Sequence, residues 1–360
     1  MAINALDADL ETMTPKRRFL AALFGGRVDR PPVCTLSSTA TMELMDLVDA
    51  PFPEAHLDAE KMARLAACSH EVLGFDTIMP VFHAQLEASA LGGDTVWGEK
   101  DNWPAVRDPV LSDPDDFVMP DDYLEQPSFK AVLGALRILR KAYPDVALVG
   151  KVYGPWSVAY HLVGIENFLM DVILDPDKVR RYIEVLTPPC LLSAWAQIEA
   201  GADAIMWCDH LTADLCRMET YRDFMLPVHQ EITEKIGAPC ILHCCGRTID
   251  RVHLFADAGW DCFHFESQVD PYEARRIIGQ RMSLIGNINN PSTLLQGTPE
   301  EAYRAALYAL EGGANGVAPE GSVPLVTPLE NLKALKQAVV DFAKRRRAER
   351  TPPAPGDQQG

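Results

Sequence analysis

Pro239-Cys240-Ile241-Leu242-His243-Cys244-Cys245-Gly246 reads as a short apolar run that stops on a histidine, two cysteines and a glycine. A run of this length without polar alternation suits a strand covered on both faces, the habit of parallel sheets. Residues two apart on a strand face the same side, so His243 and Cys245 point one way and Cys244 the other, toward packing helices. An imidazole and a thiolate on one face can hold a soft-to-borderline cation such as zinc. The alternative is a plain core strand, with cysteine as a small hydrophobe and the histidine satisfied by a hydrogen bond.

Working outward, similar apolar runs occur at residues 32–36, 76–81, 147–152, 203–207, 261–265, 282–285 and 316–318, making eight with 239–244. Between them lie helical patterns at 60–72, 128–142, 167–174, 176–200, 218–235, 248–258, 271–278 and 299–311. Alternating strand and helix predicts a parallel sheet. Eight units, with no phosphate-binding glycine fingerprint, predict an α/β (β/α)8 TIM barrel rather than an open doubly wound sheet. Thr14-Pro15-Lys16 starts a helix ahead of the first strand, an N-terminal helical extension. The Asp-, Pro- and Gly-rich stretch 88–125 is long for a connection and reads as a loop or lid.

The chain has 360 residues, 48% hydrophobic and 23% charged, ordinary for a soluble globular protein. A net charge of −18 disfavours nucleic acid and anionic membrane as partners. No signal-peptide pattern and no uninterrupted apolar span is evident, so a cytoplasmic location is expected. Nine cysteines, an odd and irregularly spaced set, read as reduced thiols. Residues 1–13 are expected to be a flexible N-terminus and 14–343 the barrel. Residues 344–360, Lys344-Arg345-Arg346-Arg347 followed by a proline-rich run, read as a disordered tail that opens on a solvated helix terminus.

Barrel enzymes place their chemistry at the C-terminal ends of strands. The residues there are His83, Gln85 and Glu87, then Lys151 and Tyr153, then Asp209 and His210. His243 and Cys245 follow, then Glu266, Asn287 and Asn289, and finally Glu320. His243, Cys245, Glu266 and Glu320 compose an N, S, O, O tetrahedron. Asp209, His210 and Glu87 are the candidates for managing protons. Tyr153, Trp207, Asn287 and His83 are candidate substrate contacts; isolated aromatics such as Tyr153 and Trp207 are more often plain packing.

Ordered motifs across residues 14–342 resemble the uroporphyrinogen decarboxylase superfamily, in its methylcobamide:coenzyme M methyltransferase branch. They include Thr14-Pro15-Lys16-Arg17-Arg18, Arg27-Val28-Asp29-Arg30-Pro31-Pro32-Val33, Gly74-Phe75-Asp76, Ile241 to Gly246, Gly286-Asn287 and Thr327-Pro328-Leu329-Glu330-Asn331-Leu332. The resemblance implies a (β/α)8 barrel, zinc held by His243 and Cys245, an exchangeable acidic ligand at Glu266, and methyl exchange with corrinoid carried as methylcobalamin by a separate partner protein. The chain departs in two places. Cys34-Thr35-Leu36-Ser37-Ser38-Thr39 lacks the arginines that would hold porphyrin carboxylates, which argues against the decarboxylase itself. The family's third cysteine ligand falls near Gly321, where Glu320 is the charged residue available. One thiolate fewer makes the metal a stronger Lewis acid, favouring demethylation of a methoxy, N-methyl or S-methyl donor over methylation of a thiol acceptor. The rival readings are a metal-free decarboxylase-like enzyme acting on another carboxylated substrate and a non-catalytic corrinoid-protein binder. Homo-oligomerisation stays open.

Overall fold

The computed structural model describes residues 11–350. In chain order the strands are β1 (Thr77–Ile78), β2 (Thr95–Val96), β3 (Ala105–Val106), β4 (Ala147–Tyr153), β5 (Ala204–Cys208), β6 (Cys240–His243), β7 (Cys262–Phe265) and β8 (Ser283–Gly286). The main helices are α1 (Pro15–Leu23), α2 (Ala59–Glu71), α3 (Pro127–Ala142), α4 (Pro176–Glu199), α5 (Leu226–Ile236), α6 (Pro271–Ile278), α7 (Pro299–Glu311) and α8 (Leu329–Arg350). The parallel sheet runs β1-β4-β5-β6-β7-β8, and every residue of β4 to β8 is buried, as continuous apolar runs require.

The expected closed eight-stranded barrel is not what forms. The ladder is a curled, open, six-stranded half-barrel that ends at β1 and β8. The runs expected as first and eighth strands, 32–36 and 316–318, join each other through an isolated bridge, Val33 to Val317, and the latter joins β8 through another, Ile285 to Gly316. Proline explains part of this, since Pro31 and Pro32 offer no backbone donor. Side chains take over other ladder positions: Thr35 donates its N–H to Thr77 Oγ1 and Leu284 donates to Asn315 Oδ1. Within the long connection 88–125, read from sequence as a loop or lid, β2 and β3 pair as a short antiparallel hairpin.

At the N-terminal end of the sheet, α1 begins as its sequence predicts, with Thr14 Oγ1 accepting from Arg17 N–H and Pro15 in the first turn. Beside it the front motifs converge on one buried ion cluster. Asp76 accepts from Arg18 Nη1 at 2.7 Å and from Arg30 Nη1 and Nη2 at 2.8 and 2.9 Å, and it also takes the Val33 N–H at 2.9 Å. Asp29 grips Arg18 from the other side, and Glu11 bonds both guanidinium groups. Residues 11–13, expected to be loose, are therefore tied down. Residues 1–10 and 351–360 of the expected mobile ends lie outside the described residues, and the basic run 344–347 forms part of α8.

Residues 155–174 are apolar and long enough to cross a membrane by length and composition. They are interrupted at Gly164, whose φ of 87° breaks the helix, and they bury Trp156 and Phe168 against the core.

Candidate metal centre and active site

Parallel register sets the site's floor. Tyr153 pairs with Cys208, Cys208 with His243, and His243 with His264, so four side chains form one row across β4 to β7. The chain leaves β6 after His243 and turns through Cys245 to Gly246 at φ 78°. A Cβ at Gly246 would lie 2.5 Å from Thr212 Oγ1, so glycine is required for the turn that brings Cys245 back over His243. His243 Nε2 then lies 2.9 Å from Cys245 Sγ. His243 Nδ1 lies 3.2 Å from the His264 carbonyl, an arrangement that puts its proton on Nδ1 and leaves the Nε2 lone pair facing sulfur. Burial lowers the His243 pKa and pushes the Cys245 thiol up to about 12, with the Glu266 and Glu320 charges adding to the latter.

His210, expected as a proton carrier, joins this pair. Its Nε2 is 3.8 Å from Cys245 Sγ, and the three ligand atoms of His210, His243 and Cys245 all fall within 4.8 Å of one another. Burial lowers the His210 pKa to about 4, so its imidazole is neutral near pH 7. The loop after β5 that presents it hangs on Asp209, which is 1% exposed. Asp209 Oδ1 accepts from Ser157 N–H at 2.9 Å, and Oδ2 accepts from Trp207 Nε1 and His229 Nε2, both at 3.1 Å. Asp209 is thus an anchor with its donors already chosen. Gly154 makes room for it: a Cβ there would sit 2.0 Å from Asp209 Oδ2.

The carboxylates divide. Glu320 is buried, and each oxygen accepts a backbone N–H, Oε1 from Asn290 at 2.8 Å and Oε2 from Ser267 at 3.0 Å. It braces the loops after β7 and β8. Glu266 is partly buried, its Oε2 accepting from Gln268 at 3.0 Å, and burial together with the Glu320 charge raises its pKa. Glu87 sits farther off, between Ser193 Oγ at 2.7 Å and the Tyr153 N–H at 3.2 Å, and burial lifts it to about 7.

Of the expected substrate contacts, Tyr153 lies against His210, with ring centroids 5.9 Å apart, and Lys151 Nζ stands 5.0 Å from its ring. Asn287 donates to the carbonyls of Val269 and Glu266, holding the loop that carries Glu266. His83 belongs to a separate aromatic group with His56 and Trp97, at 4.9 and 5.2 Å. Trp207 turns away into the helical layer, 6.3 Å from Trp260. Sequence reasoning missed His264, His229 and Ser157. His264 carried a signal, two residues before Glu266 on the same strand face; His229 sits mid-helix with none. A concavity of about 530 Å³ between α4 and α5 lies on the outer helical layer, away from this chemistry.

The model of uroporphyrinogen decarboxylase (URO-D) matches residues 14–342. The chain belongs to the uroporphyrinogen decarboxylase family. Within it the chain falls in the methyltransferase branch. It is 36% identical over 328 residues to the methylated-thiol–coenzyme M methyltransferase of Methanosarcina mazei, covering 91% of this chain and 89% of that one. It is 34% identical over 333 residues to the methylcobamide:CoM methyltransferase MtaA of Methanosarcina barkeri, covering 91% and 98%. A solved methyltransferase from Methanosarcina mazei superposes with a TM-score of 0.88 at 34% identity, over 92% of this chain and 99% of that one.

Proposed function

We propose that this enzyme is a corrinoid-dependent methyltransferase that moves a methyl group between a separate corrinoid protein and a small substrate, using zinc held by His243 and Cys245. The observation that carries the metal reading is the His243 Nε2 to Cys245 Sγ approach of 2.9 Å, with the other ring nitrogen committed to a backbone carbonyl. That donor set, one imidazole and one thiol at a strand exit, suits zinc. Zinc there supplies Lewis acidity to the heteroatom that carries or receives the methyl group.

The chain's own residues do the rest. Glu266, with its raised pKa, is the exchangeable oxygen donor and holds a proton more readily than an exposed carboxylate would. Tyr153 and Lys151 place an aromatic face and a buried cation beside the cluster, where they orient a small substrate and favour negative charge on it. With Cys245 as the cysteine of the cluster, the metal is a stronger acid than a two-thiolate centre, which favours activating a methyl donor. S-methyl compounds head that donor class, given the methylated-thiol relative.

Enzyme purified without chelator is assayed with cob(I)alamin and S-methyl, N-methyl or methoxy donors, and in parallel with methylcobalamin and thiols. Methylation of cobalamin by a donor supports the reading. Thiol methylation without donor demethylation overturns the direction, and no methyl transfer in either assay overturns the function.

A further inference from the structure

We infer that the third metal ligand of this chain is His210, giving an N, N, S shell of His210, His243 and Cys245, and that Glu320 is a brace rather than a ligand. This rests on the zinc reading above and deepens it. Tetrahedral zinc with Zn–N of about 2.05 Å and Zn–S of about 2.3 Å needs its donors about 3.4–3.6 Å apart. The two sulfur–nitrogen separations here, 2.9 Å to His243 and 3.8 Å to His210, bracket that requirement. Metal entry would open the His243–Cys245 pair by roughly 0.6 Å and close the His210–Cys245 pair by roughly 0.2 Å, and would draw together the two imidazole nitrogens, which lie within 4.8 Å of each other.

His210 is also held as a ligand must be. Its N–H donates to Ser157 Oγ at 2.9 Å and its carbonyl accepts from Tyr160 OH at 3.2 Å, so both backbone groups are fixed by side chains. The neighbouring Asp209 adds three more bonds. Its ring stands nearly perpendicular to His243, at 82° with centroids 6.2 Å apart, which lets two imidazoles address one point without stacking. Glu320 has the opposite posture. Turning it toward the metal would strip two buried backbone donors, Asn290 N–H and Ser267 N–H, of their acceptors.

The shell therefore draws on the exits of β5 and β6, and the side facing β7 and β8 is left for a fourth ligand. One anionic ligand on a divalent ion would leave a net charge of about +1, so the fourth position would favour a donor heteroatom that turns anionic as it loses its methyl group, as a thioether or an aryl methyl ether does.

The test uses full-length enzyme, its His210→Ala, His210→Gln, Glu320→Gln and His243→Ala variants, zinc competition with a chromophoric chelator, and cobalt(II) substitution followed by absorption. The expected result is near one zinc per wild-type chain, affinity lowered at least tenfold in both His210 variants, and affinity within threefold of wild type for Glu320→Gln. The cobalt ligand-field bands should move in His210→Gln and stay in Glu320→Gln, with the sulfur-to-cobalt band kept in both. Loss of metal in Glu320→Gln with full retention in both His210 variants overturns the assignment. Wild-type chains that take up less than about a tenth equivalent of zinc, with no response to His243→Ala, overturn the underlying zinc reading instead.

Discussion

Replacing Asp209 by asparagine tests whether the loop carrying His210 hangs on a buried carboxylate. The carboxylate accepts from Ser157 N–H, Trp207 Nε1 and His229 Nε2. In Asp209→Asn the remaining oxygen keeps Ser157, at the loss of charge assistance. His229 adapts: its Nδ1 partner, Tyr221 OH at 3.1 Å, can donate or accept, so the ring swaps tautomer and accepts from the new amide. Trp207 cannot adapt, because its indole is donor only. One orphaned buried donor costs about 1–3 kcal/mol and the weakened Ser157 bond about 1 more, together about 2–4 kcal/mol. Asp209→Ala orphans all three and should cost about 3–6 kcal/mol. Urea unfolding of zinc-loaded and chelator-stripped protein measures both, and chelator competition should show zinc affinity lowered roughly 10–100-fold in Asp209→Asn. An Asp209→Asn change of less than about 0.5 kcal/mol, with zinc affinity intact, would refute the anchoring role.

Other outcomes follow from the same physics. Glu87, raised from 4.5 to about 7, is bound to its proton more tightly folded than unfolded. Its contribution is full below about pH 4.5 and lost as pH rises through 7, so wild type should lose about 3 kcal/mol relative to Glu87→Gln between pH 4.5 and 7.5 in urea unfolding. Parallel pH profiles would count against it. Asp76→Asn leaves Arg18 and Arg30 buried against a neutral amide and should cost about 3–5 kcal/mol, with no direct effect on the zinc competition. Gly246→Ala adds a Cβ 2.5 Å from Thr212 Oγ1 at a positive φ, so Cys245 must shift; a loss of zinc affinity of roughly tenfold or more is expected, and unchanged binding would remove the turn from the argument.

The β4 to β8 strands were legible because each is a continuous apolar run, and helix starts such as Thr14-Pro15 and Asp270-Pro271 carried their own caps. The closeness of His243 and Cys245 was legible from their spacing, although a turn at Gly246 rather than strand periodicity brings them together. The sheet's closure was not: at 32–36 and 316–318 apolar runs look like strands, yet proline and side-chain acceptors decide the hydrogen bonding. Glu320 shows a different limit. Its residue type fits a ligand, and only the positions of the Asn290 and Ser267 amides reveal that its oxygens are already spoken for. The front motif Asp29-Arg30 with Asp76 was legible as a shared signature and turned out to be an ion cluster far from the chemistry.

The seam of the half-barrel also has a history in time. Cys34 N–H donates to the Val317 carbonyl at 2.8 Å and Val317 N–H to the Pro32 carbonyl at 3.0 Å. Val33 and Val317 are bridged across 317 − 33 = 284 residues of chain. Neighbouring strands from β4 to β8 can zip up in succession over much shorter connections, whereas this contact must wait for nearly the whole chain and bears a larger loop-closure entropy. In pulse-labelling hydrogen exchange during refolding, the amides of Cys34 and Val317 should gain protection after those of β5 and β6. On the ribosome, the segment around Val33 can pair early with Asp76 and Thr77, but its other edge must wait for Val317.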